Sequence, residues 1–172
     1  ARFFLELVRY DQGDLTPWPH SAAHSSSTQP DLFPAVALYS AVARGDVDTV
    51  PRGRALQQVW MRDAQAALIA GGCLIDALTW DGELDEAVEL GASLIEHLGR
   101  TWDDYFLGGI WLGALVLSAL ADGAAADRLA GADPALKLRR GAEMLDRVTT
   151  TSERGRPRGG GLGPEGLGWL AR

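Results

Sequence analysis

The chain contains 172 residues with a mass of 18.4 kDa, a length that predicts one domain or a tightly coupled pair. Hydrophobic residues make up 47% and charged residues 23% of the sequence, so its composition excludes a wholly disordered or a fibrous chain. The formal net charge of −7 argues against a general nucleic-acid binder. A single cysteine, Cys73, excludes a disulfide framework and a four-thiolate zinc site.

Acidic side chains dominate residues 1–136, whereas basic side chains dominate residues 137–172. This asymmetry is typical of an exposed basic tail or of a strap between domains. The sequence has no initiating Met and no signal-peptide pattern, and it stops within a helix-like pattern. We therefore expect a piece of a longer, cytoplasmic polypeptide.

The dominant periodicity of the apolar residues is helical, and no segment alternates every two residues as a strand would. It predicts helices, in chain order, over residues 2–12, 32–44, 54–70, 84–98, 105–121 and 135–150. In the last of these we expect a buried stripe formed by Leu138, Ala142, Leu145 and Thr149. The fold class predicted is all-α, with about 7–8 helices.

The apolar run at 105–121 contains no charged residue. It is shorter than the roughly 20 residues that a membrane span needs, and its flanks are acidic rather than basic. We therefore predict a buried core helix, and no membrane partner.

Three further segments complete the predicted organisation. Residues 13–30 contain three prolines and a serine run, which indicate a loop. We assign 1–150 to a helical domain, 151–163 to a flexible linker rich in Arg and Gly, and 164–172 to the start of a further helix, with Pro164 in its first turn.

Three glycines, Gly45, Gly82 and Gly123, each follow one apolar helical segment and precede another. Glycine readily adopts the left-handed conformation that ends a helix and lets the next one fold back. Their separations of about 40 residues fall in the range of helix-pair repeats. They predict antiparallel helix pairs stacked as a tetratricopeptide-like α-solenoid, with a plain helical bundle as the alternative.

The tail RGRPRGGGLGPEGLGWLAR (Arg154–Arg172) resembles a segment near the end of the helical-repeat region in actinobacterial LuxR-type transcriptional regulators with an N-terminal ATPase. The runs WDGELDEAVEL (Trp80–Leu90) and ALYSAVARGD (Ala37–Asp46) are similar to repeat helices of that family. The tail departs from the family pattern at Gly168, where Ala is usual, and lacks the acidic continuation of the helix.

The resemblance implies a parent protein with a P-loop ATP-binding domain before this chain and a helix-turn-helix DNA-binding domain after it. Neither motif occurs within the chain itself, so ATP and DNA would bind elsewhere. We expect a sensing and interaction module without catalytic residues or a cofactor. Its partners would be a peptide, protein or small-molecule effector on the concave face, and the neighbouring domains.

Two other functions remain as alternatives: a stand-alone interaction scaffold, and a small α-helical enzyme that uses Asp103 and Asp104. We interpret those two acids chiefly as caps of the apolar helix that follows them. The acids Asp81, Glu83, Asp85 and Glu86 have the wrong spacing for a calcium loop and predict a solvated edge.

The remaining chemically interesting side chains have simpler structural explanations. His20 and His24 have zinc-compatible spacing but no third ligand nearby, which indicates solvated loop histidines. His97 suits a helix C-terminus, and Cys73 suits a small core position.

The six tryptophans are the strongest sign of a binding surface, although most of them are expected in the core. Trp and Tyr are favoured at protein interfaces. The candidate groove contacts are Trp80, Trp102, Asp103 and Tyr105.

Overall fold

The computed structural model describes residues 8–16, 32–155 and 162–171, and this part of the chain is helical without strands, which confirms the all-α class. Residues 8–11 form a helical turn, and a 3₁₀ helix spans Gln57–Val59. Seven α-helices are resolved in these ranges, which agrees with the number expected: α1 (Leu32–Arg44), α2 (Thr49–Leu56), α3 (Ala64–Trp80), α4 (Leu84–Thr101), α5 (Gly108–Leu129), α6 (Ala135–Arg154) and α7 (Pro164–Ala171).

The chain divides into two compact units, Ala1–Ala77 and Leu78–Arg172. In the first unit α1 packs against α2, and small side chains of α1 and α3 make a tight core with Val59. The core residues are Ala35, Leu38, Val59, Ala66, Ala70 and Cys73. The predicted loop at 13–30 lies largely outside the described residues.

The prediction of one continuous helix over 54–70 is wrong, because the chain leaves the α-helical path between α2 and α3. Asp63 explains the restart: its Oδ1 accepts hydrogen bonds from the backbone N–H groups of Gln65 and Ala66, both at 3.0 Å. This is the geometry of a helix N-cap. A capping aspartate therefore overrides an apolar pattern that continues through the break.

We expect Asp63→Ala to lower the free energy of unfolding by about 1 kcal/mol, because two backbone donors lose their acceptor. Asp48→Ala is the matched control, since Asp48 precedes α2 without a side-chain cap bond and only approaches Arg52 at 3.6 Å. Its cost should be a few tenths of a kcal/mol. Urea titration followed by circular dichroism measures both, and equal losses would contradict the capping role.

The second unit is organised around α5, which packs against α4, α6 and α7. Its inward side chains are almost fully buried, among them Ile110, Leu112, Leu115, Val116 and Ala119. By length and composition α5 is apolar enough to cross a membrane, but 61% of its most apolar window is buried inside the protein. It thus packs as the core helix that the sequence predicts.

Three of the seven α-helices named above end in the same turn, as does the helical turn at residues 8–11, which ends at Gly13. Gly45, Gly82 and Gly131 have φ angles of 69°, 82° and 72°, and the N–H of the following residue donates to a carbonyl five residues earlier, as in a Schellman motif. The first two confirm the sequence prediction, whereas Gly123 does not end a helix. It lies buried within α5, and Gly131 makes the turn instead.

The predicted buried stripe of α6 is wrong as well. Leu138 and Leu145 are 48% and 55% exposed, whereas Val148 and Thr151 are buried. The side of α6 that packs on α5 carries Val148 and is rotated from the predicted stripe by about 100°, the angle between two successive residues of a helix. This rotation is possible because Gly113 on α5 lets Val148 approach closely. Helix α6 also continues to Arg154, four residues past the predicted end of the domain at 150.

The later part of the predicted linker, residues 156–161, lies outside the described residues. Helix α7 begins at Pro164 as expected. Its Trp169 ring lies 6.3 Å from the ring of Trp111 on α5, which places α7 against the centre of the second unit.

Candidate functional site

A cavity of about 220 Å³ lies where the start of α4, the second half of α5 and the start of α6 meet. Its apolar wall is formed by two side chains of α4, two of α5 and one of α6: Leu84, Val88, Ala119, Leu120 and Leu136. Because three successive helices contribute to it, the cavity depends on the packing of the second unit as a whole.

The two basic side chains at the cavity are both paired with acids. Lys137 Nζ donates to Asp127 Oδ2 at 2.7 Å, with both side chains only about one quarter exposed. Arg140 Nη1 lies 2.7 Å from Glu89 Oε1. The hydrogen bond from Lys137 to Asp127 raises the pKa of the lysine above its ordinary value. Both cations are therefore held in place as part of the cavity wall.

Two further carboxylates, Asp85 and Asp133, line the same cavity. Asp133 Oδ1 accepts a hydrogen bond from the N–H of Ala135 at 2.9 Å and so stabilises the turn that precedes α6. Since Lys137 and Arg140 already have acidic partners, these carboxylates leave the cavity with excess negative charge.

Gly123 on α5 makes room for the lysine. A Cβ built at this position would lie 2.8 Å from Lys137 Cε and 2.9 Å from its Cδ, so any larger residue would displace the lysine stem. Glycine within a helix costs stability. Its presence here therefore has a packing reason, which is the passage of Lys137 towards Asp127.

The four predicted groove residues divide between the two ends of α4. Trp80 precedes α4 and is 80% exposed, whereas Trp102 directly follows α4 and is 44% exposed. The 18 residues of α4 separate these ends by about 27 Å. The structure therefore brings Trp102, Asp103 and Tyr105 together in one loop and leaves Trp80 apart.

The loop after α4 is an ordered aromatic turn. The rings of Trp102 and Phe106 meet edge to face at 5.7 Å, and Asp103 Oδ1 accepts from the N–H of Tyr105 at 2.8 Å. Arg154 donates from Nη1 to the hydroxyl of Tyr105 at 2.7 Å. The end of α6 is thereby fastened to this loop.

The interpretation of Asp103 and Asp104 as caps of the apolar helix is wrong, because the helix begins several residues after them. Helix α5 begins only at Gly108, with Leu107 before it, so Asp103 stabilises the preceding turn instead. Both carboxylates are exposed, and neither lines the cavity, which lies at the other end of α4.

The other candidate residues are accounted for individually. Burial raises the pKa of the Cys73 thiol, which is enclosed in the first unit, and this favours the unreactive protonated form. His97 lies half-buried near the end of α4. His20 and His24 lie outside the described residues, within which no group of three His, Cys, Asp or Glu side chains could hold a metal ion.

Sequence reasoning missed the cavity because its residues come from three separate helices, and the way these helices pack is not visible in the local sequence. One usable signal was Lys137, the third residue of α6. A cation near a helix N-terminus is unfavourable, so its presence there indicated an acidic partner.

Comparison with known proteins gives no family, homologue or structural neighbour: no family model, curated protein or solved structure matches this chain.

Proposed function

We propose that the chain is a non-catalytic helical-repeat module that binds an effector within a LuxR-type, ATP-binding transcriptional regulator. The observation that carries the proposal is the packing of α5 against its neighbours α4 and α6 and also against α7. In α-solenoids each helix contacts the next ones along the chain in this way. The resemblance of Arg154–Arg172 to the regulator family supports the second part of the proposal.

The cavity between α4, α5 and α6 is the proposed effector site. An effector bound there contacts three successive helices and stabilises one arrangement of them over others. The change in their relative positions would be passed to the ATP-binding and DNA-binding domains of a cytoplasmic regulator. ATP and DNA are then ligands of those domains and not of this module.

The cavity wall favours a particular ligand chemistry. Its volume of about 220 Å³ is below the usual range for drug-sized ligands, so it suits a small molecule or one side chain of a peptide. Asp85 and Asp133 attract a cationic group, and the leucine and valine side chains accept a short apolar part.

The gene around this chain tests its assignment to a regulator. Sequencing in both directions should find a G-x-x-x-x-G-K-[ST] motif upstream and a helix-turn-helix pattern downstream in the same reading frame. If neither occurs in the open reading frame, the regulator assignment is wrong and a stand-alone interaction scaffold takes its place.

The effector site is tested in the full-length gene product by Asp85→Lys, with transcription from a reporter as the measurement. Removing the carboxylate and adding a cation should raise the effector concentration needed for half response at least about tenfold. Asp122→Lys is the control, because Asp122 is exposed on α5 outside the cavity. An equal shift in both variants would show that the cavity is not the site.

A further inference from the structure

One side of α6 packs on α5, and a neighbouring side of the same helix is apolar but exposed. Leu138 and Leu145 are 48% and 55% exposed, and Ala142 and Thr149 are exposed as well. We call these four residues the outer stripe. Helix α7 contacts α6 but leaves the outer stripe open to solvent.

The spacing of the outer stripe suits a second helix. Its residues follow one another at intervals of four, three and four, which is the spacing of the a and d positions in a coiled coil. Such a seam packs against a partner helix that has the same spacing. A second copy of α6 supplies that spacing by definition.

The charges beside the outer stripe select one orientation of the two helices. Arg139 and Asp146 are exposed and lie seven residues apart along the same edge of the stripe. In an antiparallel pair centred near Ala142, Arg139 of each copy faces Asp146 of the other. In a parallel pair each charge would instead lie level with its own counterpart in the second copy.

We propose that two copies of this chain associate through the outer stripe of α6, with the helices antiparallel and two reciprocal Arg139–Asp146 ion pairs at the edge. The contact is isologous, as two-fold symmetry requires. It uses a different side of the second unit from the cavity and stands independently of the proposed function.

The oligomeric state is the first test. Sedimentation equilibrium over a concentration series should show the mass rising from 18.4 kDa towards twice that value, with a dissociation constant of about 10 μM for so short a contact. Leu145→Lys should leave a monomer at every concentration. Leu129→Lys, at a residue that is 91% exposed on α5, should leave the dimer intact.

A charge exchange tests the orientation. Arg139→Asp should weaken association about tenfold, because it places like charges opposite each other in both of the reciprocal pairs. Combining it with Asp146→Arg restores opposite charges and should return the dissociation constant to within about twofold of the original. A double variant as weak as the single one would overturn the antiparallel arrangement.

Cross-linking tests the position of the two-fold axis. Ala142→Cys should form a disulfide-linked dimer under mild oxidation, whereas Leu129→Cys, at a residue that is 91% exposed on α5, should form several-fold less. Cys73 is buried and does not compete. A chain that stays monomeric at high concentration, or a dimer that survives Leu145→Lys, would overturn the proposal.

Discussion

Gly113→Ala is expected to destabilise the second unit strongly. A Cβ at this position would clash with Val148 Cγ2 and lie 3.5 Å from Met144 Sδ, and Val148 is only 3% exposed. The crowded contact between α5 and α6 should lower the free energy of unfolding by about 2 kcal/mol. Urea titration followed by circular dichroism measures this loss.

Two variants show whether crowding is the cause. Gly141→Ala also replaces a helical glycine, but nothing lies within 4 Å of the added Cβ. Because alanine has the higher helix propensity, the free energy of unfolding should rise by about 0.5–1 kcal/mol. Val148→Ala removes the clashing methyl groups, and in that background Gly113→Ala should cost less than half as much. An unchanged cost would show that the close approach is not responsible.

Leu112→Ala should have the largest effect of a single core truncation on α5. Leu112 is fully buried where α5 meets its neighbours, and the loss of its side chain leaves a cavity that costs about 3 kcal/mol. The same measurement on Leu129→Ala provides the control, because Leu129 is 91% exposed. That change should alter the free energy of unfolding by less than about 0.5 kcal/mol. Similar losses would place the core elsewhere.

The bounds of α1 and the start of α4 could be predicted well from sequence. The periodicity predicts α1 over 32–44, which are its observed bounds, and α4 from residue 84. In α4 the apolar and polar residues separate cleanly around the helix, so one side can face the core. Local signals are therefore sufficient for α4.

The errors arise where packing between helices decides the structure. Gly123 has the residue type of a helix end, but its role depends on the Lys137 stem that crosses it. On α6 the outer stripe is the more apolar side, yet Val148 and Met144 approach α5 because Gly113 opposite them leaves space. Neither fact appears in the local sequence.

The candidate site shows the same division. The exposed positions of Trp80 and Trp102 agree with the polar residues around them in the sequence. The pairing of Asp127 with Lys137 depends on the turn at Gly131, which folds α6 back along α5. Until that turn is placed correctly, the residues of the cavity cannot be brought together.

Helix α5 contacts helices that are near it along the chain, namely α4, α6 and α7. This has a consequence for the rate of folding. Each contact closes a short stretch of chain, so little entropy is lost before it forms. Helical proteins with such a low contact order fold within microseconds to milliseconds. The second unit should accordingly refold rapidly.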